Sequence, residues 1–531
     1  MKRLAVFLFA LLVLLPLVYV FGTGIMEARN FISAQSMALD GDWLVPHLFT
    51  EIRLNKPPLP VWLTTLVFLY DPTPSMLALH IPVILVTALL GVFCVDLHKN
   101  ICGDSKASLY AGLVAVSMLM TIKLGVTNSW DIYSVVFMAG ALVALLKEGR
   151  AWLTAGILCM AASVMSKGPV QLYTMLLPFL AASLLFRRPV AWKRLASIVG
   201  FGCLLGSLWY LFVYLAVPHE AASVAKGEVQ AWSSRHLASF FFYLSFPIFA
   251  GAWTLPLLAA LFGRWLKRSR NEEEEDSFEP RQAENPAPFR FLLCWFLLSL
   301  LLLSLVPEKK ERYLMPAFVP LALLTASALH HWVTGLLEGT LSRIEKLLVK
   351  THLYGAMLAS TGICLFIAWH NTDALLYVLP FAVLCLIIGG AGIHLPEHLV
   401  PVTCLLILCV VSAAWRGGSH RPIMQKTAPT CALEEFRTLP RLAGLPFYSL
   451  EGFGPIEEWE AGRDMTRVPS LEGIKEGRFV LFASRKSKAA EFSGKGLHVA
   501  EEFLIQTSRG RYHKFFVLER KDNTAPAASK N

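Results

Sequence analysis

Long apolar runs alternate with short charged stretches over most of the chain. One membrane crossing needs roughly twenty apolar residues. By that measure the pattern predicts helices near 4–22, 75–97, 106–123, 129–146, 151–166, 169–186, 193–217, 237–265, 289–306, 312–335, 351–370, 374–392 and 397–415. That makes thirteen, of which 151–166 and 169–186 are short for a full crossing. The rhythm breaks in residues 23–74, where Glu27, Arg29, Asp40, Asp42, Glu51, Arg53 and Lys56 fall between two apolar runs. Here Glu27 to Leu39 has helical composition, with Ala28, Phe31, Ile32 and Leu39 near one face, and Pro57 and Pro58 can open a second helix over Leu59 to Tyr70. Both are too short or too polar to span, so they are expected at the membrane surface. Residues 268–288 are acidic and contain proline, the composition of a disordered cytoplasmic loop. After Trp415 the chain turns polar, with strand-like runs at Arg478 to Ala483 and His513 to Leu518 and helical composition around Leu433 to Leu439. The expected architecture is an all-α polytopic membrane domain over 1–415, which includes the 23–74 loop. A small α/β domain over 416–521 and a disordered tail over 522–531 follow it.

Composition agrees: 55% of the 531 residues are hydrophobic and 16% charged, which excludes a soluble multidomain protein. A net charge of +10 is no sign of nucleic-acid binding here, because the basic residues sit in short clusters between apolar runs and no RNA-binding motif occurs. With the N-terminus inside, nineteen Lys and Arg of residues 1–415 fall on the cytoplasmic side and ten in the opposite loops. That bias puts the 23–74 loop, Lys167, the Lys309 to Arg312 run and the C-terminal domain outside. Met1-Lys2-Arg3 and the apolar run to Phe21 lack a small-residue cleavage site and read as an uncleaved signal anchor. The ten cysteines lie in or beside apolar runs without metal-ligand spacing, so neither a disulfide framework nor a cysteine metal site is expected.

The outer charges are the candidate chemistry. Glu27 stands just beyond the first span, and Asp131 opens the span at Trp130. Carboxylates at a membrane border are costly, and two of them could supply a general base and an orienting partner. Lys56 sits in Asn55-Lys56-Pro57-Pro58, where the prolines stiffen the backbone at a helix mouth. Lys167 in Ser166-Lys167-Gly168-Pro169 and the run Glu308-Lys309-Lys310-Glu311-Arg312-Tyr313 repeat the arrangement. Basic residues at three helix ends on the side that topology disfavours point to an anionic ligand. His47, His219 and His236 lack metal-site spacing, and Asp40 and Asp42 flank Gly41 as turn or cap residues. No metal ligand set is read from the sequence, and assistance by a divalent cation is left open.

In collinear order, Glu27-Ala28-Arg29, Gly41-Asp42-Trp43-Leu44-Val45-Pro46, Asn55-Lys56-Pro57-Pro58, Asp131, Ser166-Lys167-Gly168-Pro169 and Arg312-Tyr313-Leu314-Met315-Pro316 resemble the bacterial branch of the protein O-mannosyltransferase superfamily. The lipid A aminoarabinose transferases are familiar members. The likeness covers residues 1–335. It implies a type C glycosyltransferase fold, with about thirteen transmembrane helices, two juxtamembrane helices and a small periplasmic α/β domain. It further implies an inner-membrane enzyme, expected to be a monomer. Such an enzyme transfers a sugar with inversion from a polyprenyl (undecaprenyl) phosphate carrier to a lipid A, glycan or protein acceptor. By position, Arg29 and Lys56 would contact the carrier phosphate, Asp131 would be the second membrane-border carboxylate, and Lys309, Lys310, Arg312 and Tyr313 would line the donor site, with Lys167 a substrate-binding candidate from its place at an outer helix end. Glu27 and Asp131 are the catalytic candidates. The sequence departs from the family pattern at Met26, where an Asp is common, and at Asn55, where a Glu is common. These departures imply an acceptor other than lipid A and leave Glu27 as the loop's catalytic carboxylate. Two rival readings make different demands. A transporter or flippase of a lipid-linked sugar requires midplane charges or an internal repeat, and a receptor that presents the C-terminal domain requires no chemistry in the first loop.

Overall fold

A computed structural model describes residues 1–49, 51–103, 105–234, 236–268, 286–419, 430–432, 439–442, 444–450, 454–463, 465–483, 487–493, 495–506 and 512–520. Most of the acidic 268–288 segment, residues 433–438 and the 522–531 tail lie outside the described residues. All thirteen apolar windows are helical. Among the described residues nine helices are long and apolar enough to cross a membrane, and a tenth arises if Lys106–Ser117 and Leu119–Gly125, bent by 57°, form one span. Met118 makes the bend by taking extended backbone between them. The other three windows become Trp130–Leu145, Arg150–Lys167 and Leu172–Leu185, which are shorter or more polar than a full crossing. Asp131 opens the first of these and Lys167 ends the second, so the shortfall is local to the candidate charges.

The chain divides into two compact units, the first of which comprises residues 1–21, 41–46 and 52–421. This unit is the helix bundle. Small residues let its helices approach closely: a Cβ at Gly91 would lie 2.5 Å from Val6, and one at Gly112 would lie 2.7 Å from Val95. Several threonines inside the bundle are satisfied by their own helix. Thr64, Thr65, Thr87 and Thr325 each donate to the carbonyl four residues back. Large apolar side chains such as Leu208, Leu215 and Leu376 stay exposed on the outside, as a lipid-facing surface requires.

Buried charge gathers toward the two ends of helix Met76–Cys102. Near its C-terminal end, Asp96 accepts from Arg3 Nε at 2.9 Å and Nη2 at 2.6 Å, and from Lys147 Nζ at 2.8 Å. Near the other end, Leu79 accepts from Asn128, a neighbour of Asp131. Seventeen residues at 1.5 Å each separate these levels by about 25 Å, close to the thickness of a hydrocarbon core. Two other basic groups close helix C-termini: Arg188 donates to the Ile101 carbonyl and Arg194 to that of Ala144, and Arg194 also donates to Gly149 in the turn that follows.

The second unit comprises residues 22–40, 47–51 and 422–531. The expected boundary after Trp415 thus falls near Arg421, and part of the first loop groups with the C-terminal domain rather than with the bundle. Its six-stranded sheet has the order Thr430–Ala432, Leu497–Gln506, Tyr512–Arg520, Arg478–Ala483, Phe447–Ser449, Thr466–Arg467. The central strands pair antiparallel and the outer ones parallel. Alternation along Tyr512–Arg520 sends Phe515 and Val517 to one apolar layer and Phe516 and Leu518 to the other, so both faces are covered. Both strands read from the sequence are present; the sequence reading missed Leu497–Gln506 because Glu501 and Glu502 interrupt its apolar pattern. Helix Ile25–Asp40 belongs to this unit, and its Phe31 ring packs 5.1 Å from Trp459. Of the four residues read on one face, Ala28, Phe31 and Ile32 are buried and Leu39 is exposed.

Asp96 is nearly fully buried, and removing its charge leaves Lys147 without its carboxylate partner. Asp96→Asn is therefore expected to lower the melting temperature in detergent by roughly 5 °C. The Asp96→Asn/Lys147→Met pair should lose less than the sum of the single changes.

Candidate active site

Ser129 precedes helix Trp130–Leu145 in extended backbone and places Asp131 in the first turn, where the helix dipole favours a negative charge. Helix Arg150–Lys167 stops at Gly168, whose φ of 78° only glycine adopts freely, and Pro169 follows. This stop leaves Lys167 in the last turn. A short turn, Glu311–Leu314, precedes helix Met315–Leu337 and presents Arg312 and Tyr313.

These three ends meet. Lys167 Nζ donates to Asp131 Oδ1, and Arg312 Nε lies 3.2 Å from Asp131 Oδ2. Both carboxylate oxygens are thus committed to cations. The Asp131 side chain is 4% exposed, that of Lys167 11% and that of Arg312 32%, so the pair is closed inward and Arg312 faces outward. The Lys167 ammonium also lies 4.2 Å from the centre of the Tyr313 ring. Lys56 is near enough for its charge to act on both Asp131 and Lys167. Behind Asp131, Gln171 donates to Ser134 Oγ and accepts from Thr174, while Ser163 donates to the Ser134 carbonyl. All of these groups belong to the bundle unit.

The segment that bears Lys56 is fixed to the same helix end. Trp130 Nε1 donates to the Pro57 carbonyl at 2.8 Å, and the Arg53 guanidinium lies 4.6 Å from the centre of the Trp130 ring. Asn128 donates to Thr64 Oγ1 at 3.0 Å and to the Leu79 carbonyl at 2.8 Å, and accepts from the Tyr133 hydroxyl at 2.9 Å. The sequence reading did not single out Trp130 or Asn128; their only signal there is adjacency to Asp131.

The remaining basic residues are placed differently. Lys309 is buried and donates to the carbonyls of Ser304 at 2.7 Å and of Val306, which closes the C-terminal end of helix Pro286–Leu305. Burial lowers its pKa. Lys310 pairs with Glu308, and its backbone N–H donates to the Tyr243 hydroxyl at 3.4 Å. Glu27 and Arg29 lie on helix Ile25–Asp40 of the other unit. There Glu27 is buried and accepts from the Gly24 backbone N–H at 2.6 Å, an N-terminal capping bond. Among the described residues no group of three His, Cys, Asp or Glu side chains is placed to hold a metal.

Lys56, Lys167 and Arg312 set three cations about the carboxylate of Asp131, and Glu308 beside Tyr313 is matched by Lys310. Such a site leaves net positive charge at the end of an apolar bundle and suits an anionic group with several acceptor oxygens. Asp131→Ala strands the Lys167 ammonium in a buried position and is expected to cost about 3 kcal/mol of stability in thermal or denaturant unfolding. Asp131→Leu combined with Lys167→Met should recover a large part of that loss.

No family model matches the chain. The chain is 28% identical over 357 residues to an undecaprenyl phosphate-alpha-4-amino-4-deoxy-L-arabinose arabinosyl transferase of Pectobacterium atrosepticum, covering 62% of this chain and 58% of the relative. It is 29% identical over 326 residues to the corresponding protein of Pseudomonas aeruginosa, covering 57% and 55%. The chain thus spans less than six tenths of the length of these two curated relatives. Its fold superposes on the crystal structure of ArnT from Cupriavidus metallidurans bound to undecaprenyl phosphate with a TM-score of 0.72 at 17% identity, covering 100% of this chain and 98% of that one. The apo state of the same protein gives 0.69 at 16% identity, covering 97% and 96%. In sequence the chain is similar to these arabinosyl transferases over about six tenths of its length, and its architecture is that of ArnT, the type C glycosyltransferase fold.

Proposed function

We propose that the chain is a glycosyltransferase that moves a sugar, with inversion, from a polyprenyl phosphate carrier such as undecaprenyl phosphate to a lipid, glycan or protein acceptor at the periplasmic face of the bacterial inner membrane. The observation that carries this reading is the cluster of Lys56, Lys167 and Arg312 about Asp131 at one end of the bundle. The names of the curated relatives, which are undecaprenyl phosphate-sugar transferases, support it. The bias of Lys and Arg toward the opposite loops supports the sidedness.

The donor is a phosphodiester with one negative charge. As the bond from the sugar C1 to the phosphate oxygen breaks, its electron pair goes to that oxygen, and the leaving phosphate gains a second charge. Fixed cations stabilise that developing charge more than the ground state, which is what accelerates the step. Lys56 and Arg312 act on the phosphate in this proposal, with Arg29 added by the family likeness. The acceptor oxygen bonds to C1 from the opposite face. A hydroxyl acceptor gives its proton to a carboxylate, whereas an ionised phosphate acceptor has none to give. Asp131 was a candidate for that base; with both oxygens held by cations it is better read as the anchor of Lys167 and Arg312. Glu27 is the base on the motif that carries the resemblance. Tyr313 stays in the donor site as the ring against Lys167, while Lys309 and Lys310 serve the local structure of the loop before Arg312.

A flippase would place its charges near the bilayer midplane. Here Asp96 and Asp131 mark opposite ends of the bundle, which favours border chemistry.

Lys56→Ala and Glu27→Gln are each expected to abolish label transfer from a polyprenyl-phosphate sugar, a loss on the order of 100-fold or more, in protein that elutes and melts as wild type. Wild-type transfer by either variant removes that residue from the mechanism.

A further inference from the structure

We propose that Trp130 is a positioning residue for Lys56, and that it holds the lysine through the backbone on one side and a stacked cation on the other. The proposal rests on the reading of Lys56 as a contact of the donor phosphate. Lys56 itself sits in a short irregular segment between Ile52 and helix Leu59–Tyr70. Four residues of that segment, Arg53 to Lys56, precede Pro57, whose carbonyl is the acceptor of the indole N–H at 2.8 Å. At the other end of the segment, the Arg53 guanidinium lies 4.6 Å from the centre of the same indole. One side chain therefore grips the segment on both sides of Lys56.

The grip is rigid because its base is rigid. Trp130 is 1% exposed and is the first residue of the helix whose second residue is Asp131. Asn128, fully buried, ties the start of that helix to two others: its amide donates to Thr64 on helix Leu59–Tyr70 and to Leu79 on helix Met76–Cys102, and its oxygen accepts from Tyr133. Each of these groups has its hydrogen-bond partners within the protein. The separation between the Lys56 ammonium and the Asp131, Lys167 and Arg312 cluster is thus set by adjacency of residues 130 and 131. A shift of about 1 Å in such a group is enough to cost a large part of its catalytic effect.

The phosphate charge grows as the bond breaks, so a misplaced Lys56 weakens the transition state more than the bound donor. Purified Trp130→Phe protein keeps an aromatic ring beneath Arg53 and loses only the N–H. Its kcat is expected to fall on the order of tenfold or more, with the donor KM within about threefold of wild type. The inhibition constant of polyprenyl phosphate, the doubly charged product, should rise alongside. Trp209→Phe is the control: it removes an indole bond of similar length, 2.7 Å to the Leu44 carbonyl in the same loop, and should keep the wild-type kcat. Wild-type kinetics in Trp130→Phe, or an equal kcat loss in Trp209→Phe, overturns the proposal. If Trp130→Phe melts lower than Trp209→Phe, benzothienylalanine at position 130 retains the bicycle with sulfur in place of N–H, and the same two outcomes apply to it. Lys56→Ala separates this proposal from the reading beneath it. An active Lys56→Ala removes the donor-contact reading, whereas an inactive Lys56→Ala beside a fully active Trp130→Phe removes only the positioning role.

Discussion

Asp131 is a carboxylate taken out of water at the end of an apolar bundle, and it is tolerated there because Lys167 and Arg312 occupy its two oxygens. Removing ions from water costs several kcal/mol each even after relaxation. The surrounding elements are shaped to meet that cost. A helix begins at Trp130 so that its dipole faces the carboxylate, another stops at Gly168 so that Lys167 is its last residue, and the turn at Glu311–Leu314 brings Arg312 across. The same constraint explains the rest of the polar interior. Asp96 is held by Arg3 and Lys147, Lys309 spends its ammonium on helix carbonyls, and Lys310 faces Glu308.

A buried pair of this kind contributes little to stability compared with an apolar replacement of the same volume. What it does here is hold two cations at a fixed place on the border of the membrane. An ammonium on a flexible stem is a poor point of reference for a phosphate. With Lys167 held by a buried carboxylate, Arg312, the more exposed of the two cations, projects a defined charge outward. Lys56 completes the group from a separate segment. The proposed chemistry asks for that arrangement, since a departing phosphate needs charge stabilisation more than it needs a proton.

Much of this was legible in the sequence because membrane insertion imposes coarse rules. Spanning length and the Lys/Arg bias located all thirteen helical windows and put Lys56, Asp131, Lys167 and Arg312 on one side. The pairing was not legible. Lys309, Lys310 and Arg312 lie within four residues of one another and look equivalent in the chain, yet of the three it is Arg312 that pairs with Asp131, while Lys309 donates to the Ser304 carbonyl and Lys310 pairs with Glu308. For Asp131 the charge is visible in the chain and its partners, Lys167 and Arg312, are not. Trp130 and Asn128 were invisible for a different reason: in an apolar run a tryptophan reads as core, and a single amide gives no hint that it joins three helices. The domain boundary also escaped, since nothing in the composition of Gly22 to Asp40 says that this helix groups with a sheet four hundred residues later.

The central claim is that the cationic border cleaves a lipid-phosphate sugar rather than carrying it intact. Purified protein in sealed vesicles, given a polyprenyl-phosphate sugar labelled in the sugar and a mixture of lipid, glycan and peptide acceptors, decides this in a single turnover. The account expects free polyprenyl phosphate to appear in step with label in one acceptor class, with the configuration at C1 inverted. Label that crosses the bilayer still attached to its original carrier, with no polyprenyl phosphate released, would contradict it.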